Sequence, residues 1–345
     1  MSRGWLFSPR TDLVVFLGAA LGSAALAFAG AALGIGDETP LWAWVVLVLG
    51  IDVAHVWSTL FRVYLDGEEL CRRPWLYFAA PVGCWLLGVL AYEAGVFWRA
   101  LAYVAAWHFV RQQVGWMTLY ARRAGSPAWR VRLDAAAVYA VTLGPVVWWH
   151  AHLPQRFWWF VEGDFVSGLP AWCGTAALIV TGAVAGVWLA AWSKERHLGK
   201  LSLLIATAVA WVGGIVVAKS DFAFTAMNVV LHGVPYVVLT YRYSRGRQAD
   251  GGYGRWAWLL RGGAPLFGVT LLLLAFGEEL LWDKLVWHER GALFGAGGVE
   301  LAAPLLALVV PLLALPQATH YVLDAFVWRG RENPRLALRL GWTAT

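Results

Sequence analysis

Residues 41–64 read LWAWVVLVLGIDVAHVWSTLFRVY. Asp52, His55 and Arg62 bring an acid, an imidazole and a guanidinium into a mostly apolar run. The run is longer than the roughly 20 residues an α-helix needs to cross the hydrocarbon core of a bilayer. It reads as a membrane span that carries an acid and an imidazole three residues apart. Ionisable groups at such depth are costly and usually functional.

Working outward, segments of the same kind occupy residues 13–35 on one side and 75–97, 98–120, 133–149, 170–192, 198–218, 222–243, 264–282 and 299–328 on the other. The last is long enough to tilt, or to break at Pro311 or Pro316. The first is expected to stay as a span, since no cleavage site with a mature domain follows it. The fold class is therefore all-α, a polytopic transmembrane helical bundle of about ten spans. Residues 1–345 read as a single integral-membrane domain.

Composition agrees. The chain has 345 residues, 60% hydrophobic and 14% charged, with 24 Trp and 16 Phe. A soluble domain carries about 25% charge; this chain lacks the polar coat that water requires. Its net charge of +6 does not indicate nucleic acid, because the basic residues lie in short loops and set orientation. Cys71, Cys84 and Cys173 are scattered and form neither a disulfide framework nor a zinc knuckle.

The loops alternate in charge. Arg3 and Arg10 precede the first span; Arg72 and Arg73 follow the second; Arg122, Arg123, Arg130 and Arg132 the fourth. Lys194, Arg196 and Lys200 follow the sixth; Arg242, Arg245, Arg247, Arg255 and Arg261 the eighth; Arg329, Arg331, Arg335 and Arg339 the tenth. The opposite loops carry Asp37, Glu38, Glu93, Glu162, Asp164, Asp221, Glu278, Glu279 and Asp283. The positive-inside rule then places both termini in the cytoplasm; the expected location is a bacterial cytoplasmic membrane. Trp148–Trp149 and Trp158–Trp159 fit an outer aromatic belt, and residues 248–255 (QADGGYGR) read as a flexible inner loop. The polar stretch through Glu289 and Arg290 reads as an outer interfacial segment.

Four spans carry a mid-membrane histidine, and each histidine has a companion on its own helix face. Asp52 and His55 are i,i+3; His108 and Gln112, Asn228 and His232, and His320 and Asp324 are i,i+4. All four are even-numbered spans running outside to inside, at comparable depth by a rise of 1.5 Å per residue. Paired ligands projecting from facing helices are the logic of metal sites in helical bundles. The candidate metal ligands are Asp52, His55, His108, His232, His320 and Asp324. Gln112, Asn228, Arg111, Arg62, Tyr64 and Gln317 are candidates for supporting the ligands or receiving substrate, with Arg62, Arg111 and Tyr64 placed to meet an anionic headgroup. The ordinary alternatives are interhelical hydrogen bonding for the histidines, ion pairs of Asp52 with Arg62 or Arg111 and of Asp324 with Arg329, and snorkelling for the arginines.

Imidazole with carboxylate suits iron, manganese or zinc. Iron leads, as one or two ions, ahead of zinc and manganese, with haem behind them. The intramembrane His55, His108, His232 and His320 with nearby acids resemble the integral-membrane histidine-coordinated iron enzymes: fatty-acid desaturases, hydroxylases and carotene-cleaving oxygenases. The HxxxH and HxxHH boxes of the desaturases are absent, and HGVPY at 232–236 echoes the proline-flanked histidine of the carotene-cleaving group only loosely. The resemblance implies a chemical class and assigns no residue role. The expected function is a metal-dependent membrane oxidoreductase or oxygenase on a lipid-like or isoprenoid substrate. It implies the bilayer and an electron-donor protein as partners and excludes nucleic acid. The alternatives are a metal-ion or proton-coupled transporter, a haem-binding electron carrier and a structural scaffold.

Overall fold

Ser8 and Pro9 start the first long helix. The serine hydroxyl accepts the Thr11 amide at 3.1 Å, and the proline takes a position where its missing N–H costs nothing. This computed structural model describes residues 4–35, 39–153, 163–218, 220–330 and 332–342, and helix is the regular structure found among them. The long helices are α1 (Pro9–Ala32), α2 (Leu41–Tyr64), α3 (Pro74–Glu93), α4 (Phe97–Arg123), α5 (Ala128–His150), α6 (Ala171–Glu195), α7 (Leu198–Val217), α8 (Asp221–Ala249), α9 (Gly263–Trp287) and α10 (Ala303–Val327). Among the described residues, nine of these are long and apolar enough to cross a membrane. The chain is thus an all-helical, membrane-type protein.

Helix α4 stands apart. Its 27 residues suffice to cross, but they include Arg99, His108, Arg111, Gln112 and Gln113. Helix α10 breaks at Ala314, between Pro311 and Pro316, into Ala303–Leu313 and Leu315–Val327. Proline removes a ladder donor and clashes with the preceding turn, so the break falls where the sequence allowed it. Helix α8 runs past the expected end of its span to Ala249, which takes Gln248 and Ala249 out of the supposed loop. Arg3, Asp37, Glu38, Trp158–Trp159, Glu162 and Arg331 lie outside the described residues.

Several stretches wind in wide, π-type turns: Leu13–Gly18, Trp44–Val53, Leu60–Tyr64, Val209–Val217, Thr225–Val229 and Asp283–Trp287. Such turns re-aim side chains and collect at functional sites.

The chain divides into two compact units, Met1–Val48 with Ala102–Pro235, and Leu49–Leu101 with Tyr236–Thr345. In the first, α5 and α6 lie close. Gly174 faces the Trp148 backbone, and Thr181 Oγ1 donates to the Ala140 carbonyl across the pair at 2.8 Å. Small residues let membrane helices approach this closely. At the far end of these helices, buried Arg130, Asp134 and Lys200 form a charge cluster with Glu195: Lys200 Nζ lies 2.9 Å from Asp134 and 2.6 Å from Glu195, and Arg130 Nε lies 2.8 Å from Glu195. Asp12 draws in the chain start, accepting the Leu6 and Phe7 amides at 2.6 and 2.9 Å and the Tyr120 hydroxyl at 2.7 Å.

The second unit has a core of Val63, Tyr77, Ala80, Leu323 and Val327. Beside it, fully buried Arg62 pairs with Glu69 at 2.8 Å, donates to the Val327 carbonyl and stacks 4.3 Å from the Tyr243 ring. Arg72 and the Tyr77 hydroxyl also donate to Glu69. Tyr253, within the stretch read as a loop, is buried and donates to the Phe61 carbonyl at 2.7 Å. Elsewhere α3 exposes Trp75, Phe78, Leu87 and Leu90, and α6 exposes Trp172, Ile179, Val180 and Val187. Rows of large apolar side chains in the open are a surface for lipid.

Candidate metal centre

His108 and His232 belong to the first unit. α4 carries one and α8 the other, and both are buried. Their ring centroids lie 5.1 Å apart with planes at 83°. Phe109 stacks flat on the His232 ring, 3.7 Å centroid to centroid and 11° between planes, which fixes the imidazole's tilt. The wide turn at Thr225–Val229 ends just before His232. Asn228 donates to the Phe224 carbonyl at 3.2 Å and towards the Ala210 carbonyl at 3.4 Å, tying α8 to α7. Gln113, beside Gln112, accepts the Thr207 hydroxyl at 3.3 Å.

His55 and His320 belong to the second unit, on α2 and α10, and both are 1% exposed. Their ring centroids lie 5.0 Å apart with planes at 82°. Wide turns flank His55 on both sides, at Trp44–Val53 and Leu60–Tyr64. His320 sits five residues into the second segment of the broken α10. Its Nδ1 meets the Thr59 hydroxyl at 2.8 Å. In the tautomer whose Nδ1–H donates to that hydroxyl, Nε2 is the ligand atom, the arrangement usual for metal-bound imidazoles. Tyr236 sets its ring edge-on to both, 5.0 Å from His320 and 5.8 Å from His55.

The two buried imidazoles of each pair offer ligand atoms that could hold a metal ion. The acids stand beside them. Asp52 Oδ1 is 3.7 Å from His55 Nδ1, too far for a direct hydrogen bond. Asp324 Oδ1 accepts the Trp328 indole N–H at 2.7 Å. Arg329 bonds the Ala325 carbonyl at 2.7 Å, and Arg62 is committed to Glu69. Arg111 is exposed and reaches the Tyr139 hydroxyl and the Trp107 ring. Tyr64 donates to the Tyr77 carbonyl at 3.0 Å, and Gln317 is half-buried. Gln112 is buried, and neither of its amide atoms has a hydrogen-bond partner among the described residues.

Thr59, Phe109 and Tyr236 are the neighbours that sequence reasoning missed. Thr59 and Tyr236 each follow a histidine by four residues, so the face-sharing rule that found the other companions could have found them. Phe109 follows His108 directly and serves a histidine on another helix; no spacing rule reaches it. The sequence groups Glu278 with the outer loop charges. It lies inside α9, buried, and accepts the Trp57 indole N–H at 2.7 Å.

No protein-family profile, characterised protein or solved structure matches this chain.

Proposed function

We propose that this protein is a membrane-embedded metalloenzyme, an oxidoreductase on a lipid-like or isoprenoid substrate. In this reading the imidazoles of His55 and His320, and those of His108 and His232, are metal ligands, with iron first. The observation that carries it is the spacing within each histidine pair. Two imidazoles on one ion at a tetrahedral angle, with bonds of about 2.0–2.1 Å, have ring centroids roughly 5 Å apart. On opposite faces of a haem iron they would stand roughly 6 Å apart. The pairs measure 5.0 and 5.1 Å, which supports a bare ion over haem.

The donor set fits: imidazoles suit iron, zinc and manganese, and none of the cysteines accompanies these histidines in sequence. A bound iron would supply redox and Lewis-acid chemistry. The chain's own part is to exclude water, through the burial of all four histidines, and to orient the rings, through Thr59 and Phe109. The exposed apolar faces of the helices favour a substrate that arrives from the bilayer. An electron-donor protein would be required at the inner face.

Elemental analysis of protein purified in detergent tests this. The expected content is about one or two iron ions per chain, reduced or lost in His55→Ala/His320→Ala and in His108→Ala/His232→Ala. Two ions, with one surviving in each double variant, would assign a separate ion to each pair. Folded protein without stoichiometric metal would overturn the reading.

A further inference from the structure

Helix α4 carries a second polar stripe beyond its histidine. His108, Gln112 and Trp116 follow one another at four-residue steps, so they lie on one side of the helix over about 12 Å. Gln112 is 7% exposed and Trp116 is 2% exposed. Both atoms of the Gln112 amide and the Trp116 indole N–H are buried without a hydrogen-bond partner among the described residues. A buried donor or acceptor left unpaired is expensive, and more so where no water is at hand. Gln113, one residue away, accepts the Thr207 hydroxyl at 3.3 Å.

We infer that this stripe binds the hydroxyl group of a lipid-like ligand, which deepens the substrate reading above and rests on it. A hydroxyl both donates and accepts, so it meets Gln112 Oε1 and Nε2 together; a carbonyl would meet the donors alone. The Trp116 N–H offers a further donor one turn on. Gln112 and Trp116 are both uncharged, and the neighbouring Arg111 is exposed and bonded to Tyr139, so the stripe suits a neutral oxygen and not a carboxylate or phosphate. His108 at the head of the stripe places the hydroxyl-bearing end one to two turns from a candidate metal ligand.

A water molecule has the same chemistry, and the experiment separates the two sources. Protein in lipid nanodiscs, metal-free and iron-loaded, is titrated with 1-dodecanol, dodecane and dodecanoate. Thermal unfolding and equilibrium binding of radiolabelled probe are followed. Dodecanol is expected to raise the unfolding midpoint, and the other two probes are not. Gln112→Leu and Trp116→Phe are expected to fold with an unchanged or higher midpoint, because they remove atoms that have no partner among the described residues. Both should bind dodecanol about tenfold more weakly or worse and retain their iron. Equal effects of dodecane and dodecanol, or none from either, would make water the occupant and overturn the inference. So would wild-type dodecanol binding by Gln112→Leu, or a lowered midpoint, the mark of an ordinary structural amide. Dodecanol binding to metal-free protein tests the stripe alone, and iron content tests the metal reading alone.

Discussion

Glu69 shows how a residue in this protein is priced by its partners. Burial alone would raise its carboxyl, but Arg62, with hydrogen bonds from Arg72, Tyr77 and Arg62, holds it below the usual carboxylate value of 4.5. The folded state therefore binds its proton less readily than the unfolded state. The stabilisation is whole above about pH 4.5 and disappears as pH falls through the lowered folded value. Unfolding midpoints in nanodiscs should drop on the acid side of that pH, and Glu69→Gln should flatten this limb. Removing one partner of such a buried pair costs about 3–5 kcal/mol, so the Gln variant should also lose stability at neutral pH. An unaltered acid limb in Glu69→Gln would assign the acid sensitivity elsewhere. At this same scale, histidines 55, 108, 232 and 320 could be picked from sequence, because imidazole is rare at mid-membrane depth. Glu69 could not, because it lies in a short polar connection that looks like any inner loop.

At the scale of elements, close helix approach depends on single hydrogens. A Cβ on Gly174 would come within 3.1 Å of the Trp148 Cα and 3.2 Å of the Ala151 Cβ, whereas one on Gly182 of the same helix would meet nothing within 4 Å. Gly174→Val is expected to destabilise the α5–α6 pair by about 1–3 kcal/mol in detergent-induced unfolding, with Gly182→Val near neutral. Equal effects would mean that valine acts through helix propensity and not through contact. Most helices were legible as apolar runs, and the break in α10 was legible from Pro311 and Pro316. The extension of α8 was hidden, because Arg242, Arg245 and Arg247 read as a loop. Arg247 is in fact paired with Asp66 at 2.9 Å, and Arg245 bonds Gln248 at 2.9 Å, so the helix end is held by side chains from distant sequence and from its own next turn. The wide turns around His55 and before His232 were hidden too, because winding depends on packing that no local pattern encodes.

At the scale of the whole molecule, the crossing number hangs on α4. Between Cys71 and Glu300 lie α3 to α9, seven crossings if α4 spans and six if it does not. Cys71 is exposed, and the Glu300 side chain is 95% exposed. On intact cells an impermeant maleimide should label Glu300→Cys and reach Cys71 only after permeabilisation. Labelling of both from the same side would remove α4 from the crossings and with it the cytoplasmic placement of one terminus.

The sequence by itself determined that this chain is helical and lipid-solvated, since apolar runs of span length have no other way to satisfy their backbone. It also singled out the four histidines, because charge and imidazole are conspicuous where almost everything else is hydrocarbon. Tertiary structure alone decided which partners those side chains meet. Thr59 orients His320, Phe109 stacks on His232, Glu69 takes Arg62, and Gln112 has no hydrogen-bond partner among the described residues. Hydrophobic burial is non-directional and can be read from composition, whereas a hydrogen bond or a ring contact is directional and exists only once distant segments have been set at angstrom precision.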